Sequence, residues 1–156
     1  MIFKVDDLDI EEIINASVNS DNATHYINDL LGTEELSKEA LAKISNRFKV
    51  RLVYKISKDG QNVGEVTFRG EESKPVIGIG IEKPFRNQGI GYKVLKEILM
   101  RRSEVDDVEY YVYSVRNDNI PSIKLVEKLC GVRVKTFKLF EHKDLAIFTY
   151  HIPANT

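Results

Sequence analysis

The sequence predicts an α+β fold in three layers, a central mixed and mostly antiparallel sheet with helices on both faces. Three observations carry this. Apolar residues keep helical spacing to about residue 44, then alternate strictly from Phe48 through Val50, Leu52, Tyr54 and Ile56, the spacing of a half-buried strand. Asp59-Gly60 then stands between two alternating runs, a hairpin signal because glycine takes positive φ without cost. From residue 76 onward strand-like and helix-like segments follow one another. The 156 residues are enough for one hydrophobic core and too few for two, and no linker or internal repeat divides them, so residues 1–156 read as a single domain.

The first third reads as helical. Asp9 is placed to cap a helix with Ile10, Ile13, Ile14 and Val18 on one stripe. A second helix would carry Tyr26, Ile27, Leu30 and Leu31 and stop at Gly32; a third, capped by Thr33, would bury Leu36, Ala40, Leu41 and Ile44. The acidic run Asp6, Asp7, Asp9, Glu11 and Glu12 reads as a solvated helix start, or as an attractor for a cationic acceptor. Strands follow over about 48–56, 63–69 and 76–81. The third of these, Val-Ile-Gly-Ile-Gly-Ile, is apolar on both faces, as buried central strands are. Its two glycines suggest a bulge or a close approach by another backbone or a ligand.

A helix is expected from Ile90 to about Arg102, buried through Ile90, Val94, Leu95, Ile98 and Leu99, then a strand over 108–115. Tyr110, Tyr111 and Tyr113 on that strand read as packing residues. Asn119 caps another helix with Pro121 in its first turn, where a missing N–H costs nothing. Two strands, about 132–140 and 145–152, finish the sheet, and an edge strand among them could pair with a second copy, so a monomer or a homodimer is expected.

Composition narrows the function classes. The chain is 42% hydrophobic and 30% charged, which excludes disordered, collagen-like and membrane-spanning classes. Lys and Arg number 23 against 24 Asp and Glu, so there is no electrostatic footprint for nucleic acid. The single cysteine, Cys130, excludes an internal disulfide and a multi-cysteine metal site, and its apolar neighbours suggest a buried packing thiol. His25, His142 and His151 lack metal-ligand spacing, so no metal is expected. With no signal-like start and no long apolar run, no membrane segment is expected and the cytoplasm is the expected compartment.

The segment Arg86-Asn87-Gln88-Gly89-Ile90-Gly91 lies between a buried strand and a helix. Its glycines let several N–H groups converge at the positive end of the helix dipole, a setting for phosphate or pyrophosphate. It lacks the Lys-Ser/Thr of a P-loop and the third glycine of a dinucleotide fingerprint, which weighs against a nucleotide binder. The plain alternative is a helix start kept glycine-rich for tight packing.

This loop resembles the Arg/Gln-x-x-Gly-x-Gly/Ala signature of the GNAT superfamily of acyl-CoA-dependent N-acyltransferases. Asn119-Ile120-Pro121-Ser122-Ile123-Lys124-Leu125-Val126-Glu127-Lys128-Leu129 is similar to that superfamily's Asn-x-x-Ser/Ala-x-x-x-x-Glu-Lys-Leu-Gly segment, in the form closest to the ribosomal-protein N-terminal acetyltransferase branch. The resemblance covers residues 48–152 in element order as well as in motif. It implies acetyl-CoA as cosubstrate and a primary amine, on a peptide or protein N-terminus or a small metabolite, as acceptor. By the same resemblance the main chain at Ile79, Gly80 and Ile81 would pair with the pantetheine arm, and the loop from Arg86 through Asn87, Gln88, Gly89, Ile90, Gly91 and Tyr92 would hold the pyrophosphate. Asn119 and Ser122 would lie beside the thioester. Lys93, Lys124 and Lys128 are either reaches toward the adenosine 3′-phosphate or solvated helix lysines.

The chain also departs from its relatives. Val126 stands where many of them place a tyrosine that serves as acid to the departing thiolate, which leaves Tyr113 or Ser114 as the nearest substitutes. The glutamate that some relatives carry at the Ser114 position is absent, and Glu65, with Glu82 behind it, is the choice for general base. Cys130 replaces the glycine of Lys-Leu-Gly, with Gly131 one place later, so the loop there is expected to be rearranged. The missing tyrosine keeps open an alternative from another class, an acyl-CoA-sensing module with degenerate catalysis.

Overall fold

In the computed structural model, residues 1–14, 49–138 and 144–154 are described. Among the described residues the strands and α-helices run in the order β1 (Ile2–Val5), β2 (Leu8–Ile14), β3 (Val50–Lys58), β4 (Gln61–Gly70), β5 (Pro75–Ile81), α1 (Ile90–Val105), β6 (Tyr110–Arg116), α2 (Ile120–Lys128), β7 (Val132–Lys138) and β8 (Ala146–Pro153). The eight strands form one sheet in the order β1-β2-β3-β4-β5-β6-β8-β7. Every neighbouring pair is antiparallel except β5 and β6. The α+β class and the mixed, mostly antiparallel sheet are therefore as expected. The two helices placed over 26–44 lie outside the described residues.

The start of the chain corrects the sequence reading. Residues 2–14 form a β-hairpin, not a helix capped by Asp9. Val5 stands opposite Leu8 across a two-residue turn in which Asp6 takes φ 55°, a left-handed conformation that a short acidic side chain tolerates. Leu8 and Ile10 are buried beneath the sheet while Asp9 and Glu11 point to solvent. Ile10, Ile13 and Ile14 satisfy a helical stripe on paper, but β3 needs a partner on that side, and Leu8–Ile14 supplies it. The acidic run is thus spread over a turn and a strand; Glu12 meets the Arg102 guanidinium at 3.1 Å.

The core lies on one face of the sheet. Leu52, Tyr54 and Ile56 of β3, Val66 and Phe68 of β4, Ile77 of β5, Tyr111, Tyr113 and Val115 of β6, and Tyr150 and Ile152 of β8 all turn toward it. Both described helices pack there, α1 through Ile90, Val94, Leu95, Ile98 and Leu99, as expected, and α2 through Val126. Fully burying each such side chain contributes about 1.5–3 kcal/mol. The opposite face also buries Val53, Thr67, Val76 and Ile147.

The β3–β4 hairpin turns at Asp59 (φ 52°) and Gly60 (φ 79°), the positive pair of a type I′ turn. Lys58 faces Gln61 and Ser57 faces Asn62, but beyond Val63 the register slips by one, so that Ile56 faces Gly64 and Lys55 faces Glu65. That bulge decides which face Glu65 occupies. A regular hairpin would have put Glu65 opposite Tyr54, on the core side; the extra residue moves it to the other face.

Candidate active site

The parallel pair at the centre of the sheet is the first feature of the site. β5 and β6 each have seven residues, yet only Val76 and Val112 are in register. Beyond that pair the strands part and leave a cleft between their C-terminal halves. Burial follows: Pro75, Val76 and Ile77 are buried, whereas Gly78, Ile79 and Ile81 are half-buried and Gly80 is exposed.

The hydrogen-bond phase of β5 tells which groups face the cleft. The Glu82 N–H donates to the Val63 carbonyl at 2.7 Å, so Gly64 and Ile81 form a non-bonded pair and Glu65 and Gly80 a bonded one. Gly80 therefore turns its N–H and C=O to β4, while Ile79 and Ile81 turn theirs toward the cleft. The expected bulge at Gly78 and Gly80 is absent; β4 and β5 pair without a register break. The cleft-facing groups are released because β6 leaves, not because β5 bends. Gly78 has a different reason to be glycine. A Cβ there would lie 2.5 Å from an Arg69 guanidinium nitrogen and 2.6 Å from Thr67 Oγ1, and Arg69 donates to that hydroxyl at 2.7 Å.

After β5 the chain makes one tight helical turn (Lys83–Phe85) and enters the glycine loop. Asn87 (φ 64°) and Gly89 (φ 77°) are both left-handed, on either side of Gln88, and alternation of this kind turns successive N–H groups into one concavity. The first intrahelical bond of α1 runs from the Lys93 N–H to the Gly89 carbonyl at 3.2 Å, so the N–H groups of Ile90, Gly91 and Tyr92 sit at the open N-terminus. A Cβ on Gly89 would meet nothing within 4 Å. Tight packing is thus not why residue 89 is glycine; it supplies the left-handed turn and leaves the space in front open. The observed arrangement fits a diphosphate.

The other predicted residues lie on several elements near the parted strands. Arg86 begins the loop with its Nε donating to the Ile81 carbonyl at 2.9 Å. Gln88 reaches back to the Pro84 carbonyl at 3.4 Å. Glu65 lines a half-open cavity of about 600 Å³ together with Lys55, Asn62, Gly80, Glu82 and Arg86. Ser114 lies on β6 beyond the parting of the strands, on the face away from the core, with its Oγ 3.5 Å from Thr149 Oγ1. Asn119 caps α2: its Oδ1 accepts from the Ser122 N–H at 3.3 Å. Ser122 Oγ in turn lies 2.6 Å from the hydroxyl of Tyr113, a pairing with no signature in sequence spacing. Lys55 and Asn62 were also illegible in the sequence, because their place beside Glu65 depends on the hairpin register.

Of the three lysines, Lys93 is paired with Asp6 at 3.3 Å, and Lys128 rests over the Tyr92 ring at 4.1 Å. Val126 is fully buried, so its position presents nothing to the cleft.

The end of α2 corrects the reading of Cys130. It is exposed, not a packed core thiol. Cys130 itself takes φ 66°, its N–H donates to the Glu127 carbonyl at 3.0 Å, and the Gly131 N–H donates to the Val126 carbonyl at 2.9 Å. These are the two bonds of a Schellman cap, with cysteine at the left-handed position usually given to glycine. Gly131 is required for another reason: a Cβ there would sit 2.6 Å from Val126 Cγ2.

Among the described residues no group of three or more His, Cys, Asp or Glu side chains is arranged for a metal, and no helix is long and apolar enough to cross a membrane.

Comparison with known proteins agrees with this architecture. The solved GNAT-family acetyltransferase from Bacillus anthracis superposes with a TM-score of 0.66 at 17% identity, covering 100% of both chains. The acetyl transferase from Salmonella typhimurium that modifies the N-terminal serine of ribosomal subunit protein L7/L12 gives 0.66 at 16% identity, covering 98% of this chain and 99% of its own. A GNAT-family acetyltransferase from Elizabethkingia anophelis, solved with acetyl-CoA bound, gives 0.64 at 16% identity, covering 95% of this chain and 99% of its own. No curated protein sequence matches significantly. The family model described as an acetyltransferase (GNAT) domain matches residues 2–131, spanning the parted strands, the glycine loop and the Asn119 helix, and the chain belongs to that family of acetyltransferase enzymes.

Proposed function

We propose that this protein is an N-acetyltransferase that moves the acetyl group of acetyl-CoA to a primary amine by direct attack on the thioester. The observation that carries the reading is the single-pair β5–β6 ladder, opening toward the glycine loop at the start of α1. Bound acetyl-CoA supplies an activated acyl carbon. The groups of Ile79 and Ile81 that face the cleft would pair with its pantetheine arm as an added strand. The N–H groups from Asn87 to Tyr92 would hold its pyrophosphate, and Asn119 would use its side-chain N–H₂ beside the thioester, since Oδ1 is taken by the cap.

The amine must arrive neutral to have a lone pair. Glu65, in register with Gly80 and at the wall of the cavity, would take its proton directly or through a water, with Glu82 as the neighbouring carboxylate. Both carboxylates also suit a cationic acceptor before it loses that proton. The N–H of Ile79 or Ile81 would stabilise the oxyanion. The neighbour that modifies a protein N-terminus favours a peptide amine over a small metabolite as acceptor.

The buried Val126 favours one competing reading, a module that binds acyl-CoA and no longer transfers it efficiently. Calorimetric titration with acetyl-CoA, CoA and ATP, followed by free-thiol release with a panel of amines, separates the two. Acetyl-CoA binding with amine-dependent thiol release is expected; binding without release favours the sensor; competition by ATP alone overturns the cradle. Glu65→Gln is expected to lower the rate at neutral pH by about 10²-fold or more. An unchanged pH–rate profile removes Glu65 as base.

A further inference from the structure

We infer that the amine acceptor is a polypeptide that crosses the outer face of the sheet from Gly80 to the β1–β2 hairpin, with a preference for lysine or arginine near its fifth residue; the inference rests on the acetyl-transfer reading above. Two cavities adjoin on that face. The first, of about 600 Å³, reaches the cleft and is lined by Gly80, Glu65, Asn62 and Lys55 among others. The second, of about 450 Å³, shares Lys55 and Asn62 and continues to Asp9, Glu11 and Ile2. Strand register makes them one trough. Gly80 faces Glu65, Glu65 faces Lys55, Lys55 faces Glu11 and Glu11 faces Ile2, a single row across β5, β4, β3, β2 and β1 on the side away from the core. Every residue of that row is exposed. Asn62, Ser57 and Asp9 form the row beside it.

Gly80 marks the inner end. A Cβ there would meet nothing within 4 Å and its φ is not positive, so neither packing nor backbone conformation requires a glycine. Its missing side chain keeps the trough open to the parted edge of β5, and a glycine inside a strand often marks close approach by a ligand. Charge sets the outer end. The β1–β2 hairpin divides the acidic run by face and by partner. Asp6 pairs with Lys93 at 3.3 Å, Asp7 with Lys58 at 3.1 Å, and Glu12 with Arg102 at 3.1 Å. Asp9 and Glu11 instead line the second cavity, and neither has an ion pair among the described residues. Neighbouring strands lie about 4.8 Å apart, so the three steps from Gly80 to Glu11 span about 14 Å. An extended chain advances about 3.3–3.6 Å per residue, so a peptide with its amine at Gly80 brings its fifth residue to Asp9 and Glu11. A cationic side chain there meets two carboxylates. The strands beneath already pair with one another, so side chains carry the recognition, and a small amine would reach only the first cavity.

The test is thiol release from acetyl-CoA by the full chain with ten-residue peptide amides of serine, alanine and glycine. These carry lysine, alanine or glutamate at the fifth position, or lysine at the tenth, and are compared with ethanolamine. Exposed ion pairs contribute modestly, so kcat/KM with lysine at the fifth position should exceed that with alanine by about 3–10-fold, and glutamate should fall below both. Lysine at the tenth position should match alanine. Salt at about 0.5 M should bring the peptides within about twofold of one another, because exposed charges are screened. Glu11→Lys should remove or reverse the preference, whereas Glu104→Lys, the same charge change on an exposed position of α1, should keep it. Equal kcat/KM for the three fifth-position peptides, or a preference that survives Glu11→Lys, overturns the trough while leaving acetyl transfer standing. Faster turnover of ethanolamine than of every peptide does the same. Wild-type protein that binds acetyl-CoA but releases no thiol with any amine or peptide overturns acetyl transfer and the trough together.

Discussion

Replacing Gly89 with tryptophan separates what the glycine loop does for the fold from what it does for a ligand. Gly89 has φ 77°, where a side chain costs about 1–2 kcal/mol, and the space in front of it is open to beyond 4 Å, so no clash adds to that cost. Against a typical stability of about 5–15 kcal/mol the variant stays folded. Its melting temperature should fall by about 2–8 °C for a chain of this size. The indole, however, fills the concavity in front of the Ile90, Gly91 and Tyr92 N–H groups. Each hydrogen bond to a charged phosphate oxygen contributes about 1.5–3 kcal/mol, so losing two removes about 3–6 kcal/mol. At about 1.4 kcal/mol per decade this is a loss of more than 100-fold in acetyl-CoA affinity. Circular dichroism melting checks the first quantity and calorimetric titration the second. Gly89→Asn serves as a control, because asparagine tolerates the left-handed turn and intrudes less. A cooperatively folded Gly89→Trp that binds acetyl-CoA within threefold of wild type refutes the placement of the cradle.

Three further outcomes follow from the local geometry. Cys130→Gly should stabilise the protein by about 0.5–1 kcal/mol in urea denaturation by relieving the left-handed cysteine, whereas Gly131→Ala should cost about 1–3 kcal/mol because its Cβ would collide with Val126. Arg102 joins Glu12 at 3.1 Å and the Tyr54 hydroxyl at 3.2 Å, and burial pushes Tyr54 up to about 12. Arg102→Leu should therefore cost about 2–3 kcal/mol by leaving Glu12 without its cation in a largely buried place, and Glu12→Gln in that background should recover part of it. His151, stacked on Tyr110 with ring centroids 4.0 Å apart, has its pKa lowered from 6.5 by burial and then by the charge of Lys74. Its unfolded form therefore takes up a proton before the folded form does, and stability falls as pH drops through 6.5 toward the folded value. His151→Phe should shrink the difference in urea midpoint between about pH 7.5 and pH 5.5 relative to wild type; an unchanged difference would refute this.

The elements after residue 49 were legible because each has a local cause. The Asp59-Gly60 turn needs two positive φ values, the α1 stripe repeats at helical spacing, and Asn119 with Pro121 is a helix start that any context would use. Residues 2–14 were misread because their apolar spacing satisfies both periods, and only the free edge of β3 chooses between them. The cradle was legible in part. Left-handed residues and a helix N-terminus are written in Asn87 and Gly89, but the cleft above them arises from the parting of β5 and β6 after one pair.

The sequence by itself therefore determined the turns, the helix starts and the anion-directed loop, since these depend on the backbone preferences of neighbouring residues. The tertiary structure decided the rest. It set which face Glu65 occupies, through one extra residue at Val63 that reverses the register. It brought Tyr113 to Ser122 across nine residues, and it turned Ile79 and Ile81, rather than Gly80, toward the cleft. The first and the last of these depend on how one strand pairs with another, and alternation at a period of two makes such an outcome reverse with a shift of a single residue.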